Sequence, residues 1–497
     1  MGHGNQNKPL PPLETISPHI LRYWKMRKTD KEMLELLQTN HIDLDKYGLG
    51  MTRFREIRAK MGLTRTRQQA HTLESIQEPM ISLRKKYPKA GSREIISLLF
   101  HEKGMSVSRD LVTQYFHTFE PLLIKERKAR RLQRRRFWSA GVNDLWAVDQ
   151  HDKWKKFGLA LHTGIDPFPG KTHWMKVWWT NNNPKLIASY YLDAVDTTGY
   201  MPLVSQSDPG SENYRIANAQ TVLRHWHDPD LIGTIQHRWM RHKKNVMPEI
   251  AWSQLRRRFT PGFEDILQLG VTNDWYDIGK PLDALVFRWL FIPWIQQELD
   301  SYVERLNNTR KRADRNKILP HGVPNDICES PERYGCLDFK VKVEKDALDH
   351  VRRLYAPPDD PVFELVPSTF DEFAKVLYTS MGSPVVTGEN IWDIYRALLF
   401  RVERLEVAVD YIAEWETCLA DMDPGSDIDL VAGKELGDRV DTGNDEGQYY
   451  MGGVNNGQGL DASHILQLEA LDDGGEIELE VQFSDEEPVE KDALDEW

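Results

Sequence analysis

Trp146-Ala-Val-Asp149-Gln-His-Asp-Lys153 places an acid at the end of an apolar run, and a second stretch downstream repeats the pattern. Leu145 to Val148 reads as a buried strand delivering Asp149, and Met201-Pro-Leu-Val204 as another delivering Asp208, after which Pro209-Gly210 turns the chain. A third acid, Glu249, lies in Asn245-Val-Met-Pro-Glu249-Ile-Ala-Trp252. Pro248 is favoured at the first position of a helix, and Ile250, Trp252 and Leu255 continue with helical spacing. A carboxylate on such a first turn can lean over the edge of a neighbouring sheet.

Between the first two acids, Leu159 to Ile165 reads as a strand, Asp166-Pro-Phe-Pro-Gly170 as a turn, and His173 to Trp179 as a strand rich in Trp and Val. Together with the strand of Asp149 they make a three-stranded meander. Pro184 to Thr197 then has the apolar spacing of an amphipathic helix. The order is strand, strand, strand, helix, strand, helix, strand, helix.

This order, with Asp149, Asp208 and Glu249 on the first strand, the fourth strand and a late helix, resembles the ribonuclease H-like core of retroviral integrases and DDE transposases. More narrowly it is similar to the uncharacterised integrase-core proteins of fungal and animal genomes. The matching text is Gly141 to Lys153, Gly164-Ile-Asp166, Trp174 to Trp179, Asn181-Asn182, Tyr190-Tyr191, Ser207 to Asn213 and Asn245 to Trp252. The resemblance spans residues 20–415 and is strongest over 141–310. It departs at Gln150, where the group has a small Gly, and at Met247, where the third motif, Asn-Gln-Arg-Ile-Glu, has Arg. The 40 residues between Asp208 and Glu249 are close to the integrase-like spacing.

The resemblance implies an α/β ribonuclease H-like core, a mixed five-stranded sheet flanked by helices, and DDE polynucleotidyl transfer. Mg²⁺ prefers oxygen ligands and keeps several waters, so a few carboxylates and substrate phosphate oxygens suffice for a pair of ions. By that analogy Asp149 bridges two Mg²⁺ or Mn²⁺ ions while Asp208 and Glu249 each hold one. Lys153, Lys155 and Lys156 stand where they could hold phosphate oxygens, Asn213 could orient a water or phosphate, and Asn245 supports the site. The implied function is a transposon-derived integrase or transposase that binds DNA, cuts and joins phosphodiesters, and works as a homodimer or homotetramer. The alternative is a catalytically inactive, domesticated nucleic-acid-binding or regulatory protein of the same fold, which Gln150 and Met247 favour; a plain nuclease is a third reading.

Each residue has a plainer reading too. An Asp at a strand end is ordinarily a turn former or helix cap, and Glu in a first helical turn is favoured by the macrodipole alone. Glu212 is expected to cap a helix starting at Asn213. Lysines after a strand are ordinarily a solvated edge.

Upstream, Asp30 to Gln38 and the basic Thr52 to Met61 have the layout of a helix-turn-helix, repeated by Ser92 to Lys103 and Ser108 to Phe116 with Ser108 as N-cap. A helical hairpin fits both equally well. Lys125 to Arg136 is basic at eight of twelve positions, including Arg130, Arg131, Arg134, Arg135 and Arg136. Such a run favours phosphate contact, or serves in nuclear import, and places the protein in the nucleus. By contrast Asp421 to Trp497 holds 23 Asp or Glu against Lys434, Arg439 and Lys491, so the formal net charge of −12 hides a basic body and an acidic tail. That tail reads as disordered, with a basic protein as its partner or with none.

The expected organisation is a flexible N-terminus over 1–20, a helix-turn-helix-like DNA-binding region over 21–124, a basic linker over 125–137, the core over 138–275, a helical extension over 276–420 and the acidic tail over 421–497. The apolar stretch from Pro281 to Arg312 is broken by Arg288 and Pro293 and reads as helices packed on the core rather than a membrane span. Cys328, Cys336 and Cys418 have no Cys-x-x-Cys spacing, which indicates neither a disulfide scaffold nor a zinc site.

Overall fold

The computed structural model describes residues 8–88, 90–120, 140–240, 245–311, 320–404, 408–421 and 429–436. The basic run at 125–136 and the tail from 437 onward lie outside these residues. Five strands form one mixed sheet: β1 (Leu145–His151), β2 (Ala160–Asp166), β3 (Lys171–Trp178), β4 (Val204–Ser207) and β5 (His237–Trp239). Their order is β3-β2-β1-β4-β5, with β1, β2 and β3 the expected antiparallel meander and β4 and β5 parallel to β1.

Strand alternation divides the side chains between two cores. Trp146, Val148 and Trp174 face one side, under α7 (Pro184–Thr198), α8 (Tyr214–His227) and α12 (Lys345–Tyr355), the other helices being introduced below. Leu161, Met175 and Val177 face the other side, packing with Trp252, Phe259 and Phe291. Those three belong to α9 (Val246–Arg258), the residue that follows it, and α11 (Pro281–Asn307), with α10 (Thr260–Thr272) between. By this alternation Asp149, two residues from Ala147 and paired with Thr163, faces α9, whereas Gln150 faces α8.

The expectation of several helices over 281–312 is replaced by one 27-residue helix, α11, that runs through Pro293. Proline removes one backbone hydrogen bond there. Leu290, Phe291, Ile292, Trp294 and Ile295 are all buried around it, and that packing outweighs the lost bond. Two amide side chains of α11 also bond the outer edge of β3. Gln296 accepts from the Val177 N–H (3.0 Å) and donates to the Met175 carbonyl (3.1 Å), and Asn307 does the same for Thr172 (2.9 and 2.7 Å).

Upstream lie α1 (Leu13–Lys25), α2 (Asp30–Asn40), α3 (Met51–Lys60), α4 (Leu73–Lys86), α5 (Ser92–Lys103) and α6 (Arg109–Phe119). Thr29 and Glu32 close a capping box on α2, and Ser108 caps α6 as expected. α3 is less free than its basic sequence suggests. Asp30 forms an ion pair with Arg58 (3.1 Å) and accepts a hydrogen bond from Arg65 (2.7 Å), and both guanidinium groups lie over Trp24. The buried pair Lys28–Asp326 and the pair Arg305–Glu94 (3.2 Å) tie α1 to α5 onto the α11 side of the core.

Further along the chain lie α13 (Ser368–Ser380), α14 (Ile391–Glu403) and α15 (Ala408–Asp421). Beyond them, residues 429–436 return to the sheet. Lys434 bridges Thr234 in parallel, donating to the Gly233 carbonyl (2.8 Å) and accepting from Ile235 N–H (2.9 Å). The Asn218 side chain holds both the Asp429 carbonyl (3.0 Å) and the Val431 N–H (2.9 Å). Among the described residues no helix is long and apolar enough to cross a membrane.

Candidate active site

β4 pairs with β1 only as far as Gln206 opposite Ala147, so from Val148 onward β1 has a neighbour on one side alone. The open side is filled by the start of α9. Asn245, fully buried, donates to the Val148 carbonyl (2.7 Å) and accepts from Gln206 (3.3 Å). That bond takes the place of the missing strand and brings α9 over Asp149. Asn245 therefore fastens the start of α9 to β1 through the Val148 backbone.

Asp149 is not at the strand exit, because β1 continues through His151 in register with β2. Nor does Pro248 open the helix. α9 begins at Val246, and Pro248 is tolerated in its first turn, where backbone N–H groups have no intrahelical partner anyway. Glu249 is in that first turn, as expected.

The three acids come within electrostatic reach. Burial pushes the Asp149 carboxyl well above the usual range, and the charges of Asp208 and Glu249 push it the same way. A hydrogen bond from the Trp252 indole Nε1–H to Asp149 Oδ2 (2.9 Å) acts in the opposite direction. Asp208 directly follows β4, and its Oδ1 is buried with no hydrogen-bond partner. Its carboxyl is pushed up to about 6, by burial first and by Glu212 second. Behind it, neutral His237 bonds Ser205 Oγ (2.7 Å) and Ser207 Oγ (3.0 Å), and Ser207 donates to the Asp208 carbonyl (2.9 Å). Burial lowers the His237 imidazole to about 3, which keeps it uncharged.

Asn213 does not face solvent. It is fully buried, accepts from Gln150 Nε2 (3.0 Å) and donates to the Asp208 carbonyl (3.2 Å) and Glu212 Oε1 (3.4 Å). These bonds commit its amide to the protein rather than to a water or phosphate. Gln150 thus has a structural partner that glycine would lack. Glu212 makes no cap; a short 3₁₀ turn, Ser211–Asn213, leads into α8 instead.

Of the lysines after β1, Lys155 pairs with Asp152 (2.7 Å) and Lys156 with Glu264 (2.8 Å). Such exposed pairs are worth about 0–1 kcal/mol and yield readily to a stronger anion. Burial first, then the charges of Lys153 and Arg256, lower the His151 imidazole to about 4, against the opposing charge of Asp152. Arg130, Arg131, Arg134, Arg135 and Arg136 lie outside the described residues.

Two residues that the sequence did not single out complete the arrangement, Trp252 and His151, whose rings stack 4.9 Å apart at 16°. The signal was present for Trp252: it lies three residues after Glu249 and so shares its helix face. Among the described residues no group of three or more His, Cys, Asp or Glu side chains is arranged to hold a metal ion. Two ions sharing Asp149 would each ask for only one further carboxylate, with water and phosphate completing the shell.

A family model described as Integrase core domain matches residues 137–324. That segment is an integrase core domain. No curated protein matches the chain. The integrase core thus takes in the whole sheet, α7 to α11 and the start of the segment beyond α11, and its five-stranded mixed sheet with flanking helices is the ribonuclease H-like arrangement.

Asp208 gives the integrase core a pH dependence of known sign. Its carboxyl titrates at an ordinary 3.8 unfolded and about 6 folded, so between those values the folded state holds a proton that the unfolded state has released. Stability from this group therefore falls as pH rises from about 4 to about 6. Melting temperatures of metal-free wild type and Asp208→Asn, taken across this interval, should diverge in favour of the variant as pH rises. A constant gap would show that Asp208 is not desolvated.

Proposed function

We propose that the chain binds DNA and cuts and joins its phosphodiesters as an integrase- or transposase-like enzyme. The observation that carries this reading is a buried Asp149 carboxylate within reach of the charges of Asp208 and Glu249, with a buried Asp208 oxygen lacking any hydrogen-bond partner. Such a donor set suits a hard divalent cation, whose charge would relieve both the desolvation and the repulsion. Asp149 would serve two Mg²⁺ or Mn²⁺ ions, with Asp208 and Glu249 completing one each. When bound, the ions would stabilise the attacking and leaving oxygens of an in-line displacement. Lys153, Lys155 and Lys156, which follow Asp149 closely in the chain, would serve as phosphate contacts, and the arginines of 130–136 would add a sequence-independent grip. The helix pairs α2–α3 and α5–α6 are candidate helix-turn-helix modules. A nuclear location, paired protomers and the domain limits given above belong to the same reading.

A catalytically silent DNA-binding protein is the second reading, favoured by Met247 and by the lack of a ready three-ligand cluster among the described residues. Calorimetry with Mn²⁺ on the full chain separates the two. Binding that disappears in Asp149→Asn/Asp208→Asn supports the enzyme; identical traces from a folded variant leave the binding protein.

A further inference from the structure

We infer that Trp252 is a positioning residue that holds the Asp149 carboxylate in the orientation needed for a cation. The inference rests on the cation-binding reading above. Glu249 and Trp252 are three residues apart on α9, so one helix face presents a carboxylate and an indole to the same side of β1. An indole has one N–H donor and no acceptor, which makes its bond to Asp149 Oδ2 one-way. That bond takes one lone pair of Oδ2; a backbone hydrogen bond from Gln150 also reaches the carboxylate, and together they fix which of its remaining lone pairs can meet a cation. A carboxylate beside two like charges would otherwise turn away from them, and a donor held rigidly in place opposes the turn. The ring is rigid for two reasons: it is buried in the core cluster that also holds Leu161 and Leu255, and His151 stacks upon it. Removing the N–H therefore frees Asp149 while leaving most of the packing to a phenyl ring.

Losing an outer partner of this kind typically weakens metal affinity by about 10–100-fold. The full chain, labelled with 5-fluorotryptophan, gives fluorine resonances from 16 tryptophans, and the one missing in Trp252→Phe identifies Trp252. The expected result is a shift of that resonance in Asp149→Asn, its selective broadening when Mn²⁺ is added to wild type, and Mn²⁺ affinity in Trp252→Phe reduced by roughly 10–100-fold. The remaining resonances report whether the variant is folded. A Trp252 resonance indifferent to Asp149→Asn overturns the inference, the resonance being identified with Trp252→Tyr where Trp252→Phe does not fold. So does a folded Trp252→Phe that binds Mn²⁺ as wild type does while Asp149→Asn/Asp208→Asn does not, and in that case the cation site itself stands. Wild type that binds no Mn²⁺ removes the site and the inference together.

Discussion

Asp149→Asn should lower metal-dependent phosphodiester cleavage by about 10³-fold or more while leaving DNA binding intact, since a metal site supplies several kcal/mol of transition-state stabilisation and each 1.36 kcal/mol is tenfold. Asparagine matches aspartate in size and keeps an oxygen to accept the Trp252 N–H, so the change removes charge with little change of shape. It also removes the charge that Asp208 and Glu249 repel and burial disfavours. Metal-free Asp149→Asn should accordingly melt no lower than wild type at pH 8. Mg²⁺ should raise the melting temperature of wild type and leave the variant unmoved, because a ligand stabilises only the state that binds it. Cleavage by Asp149→Asn at the wild-type rate would falsify the assignment, and a large drop in its metal-free melting temperature would make Asp149 a structural residue.

Replacing Arg130, Arg131, Arg134, Arg135 and Arg136 with Gln should have the other large effect, on DNA affinity and its response to salt. Each phosphate neutralised contributes about −0.9 to the slope of log affinity against log salt, so five lost contacts flatten it by up to about 4.5. The loss of affinity should then be on the order of 10²- to 10³-fold greater at 50 mM salt than at 200 mM. Fluorescence anisotropy with a labelled duplex over a salt series measures both quantities. A parallel line, displaced but equally steep, would assign the phosphate contacts to other residues.

The parts of the fold legible in the sequence were those set by local pattern. Asp166-Pro-Phe-Pro-Gly170 marks a turn whatever surrounds it, and the apolar alternation on either side gives the meander; Asp208 lies at the end of β4 because Pro209 and Gly210 cannot extend it. Where distant partners decide, local pattern misleads. Gln150 and His151 look like the start of a loop, yet pairing with Leu161 and His162 extends β1 through them. Pro293 looks like a helix break, yet its neighbours are buried on a sheet that no local window contains. In sequence Asn213 stands as a residue that could orient a water or phosphate and Gln150 as a departure, whereas the fold joins them in one hydrogen bond. Trp252 was read as an apolar helix residue, since nothing within ten positions shows that its N–H meets Asp149 from 103 residues away.

The bridge of residues 429–436 to Thr234, just ahead of β5, bears on how the chain avoids sticking to copies of itself. An open sheet has two outer strands whose unpaired backbone groups can recruit strands from other molecules. Here the amides of Gln296 and Asn307 occupy the β3 rim, and the Thr234–Lys434 bridge, fastened by Asn218, shields the approach to the β5 rim. A polypeptide shortened to residue 436 would lose the acidic tail and keep both guards. One ending before 429 would bare the β5 side and invite edge-to-edge aggregation.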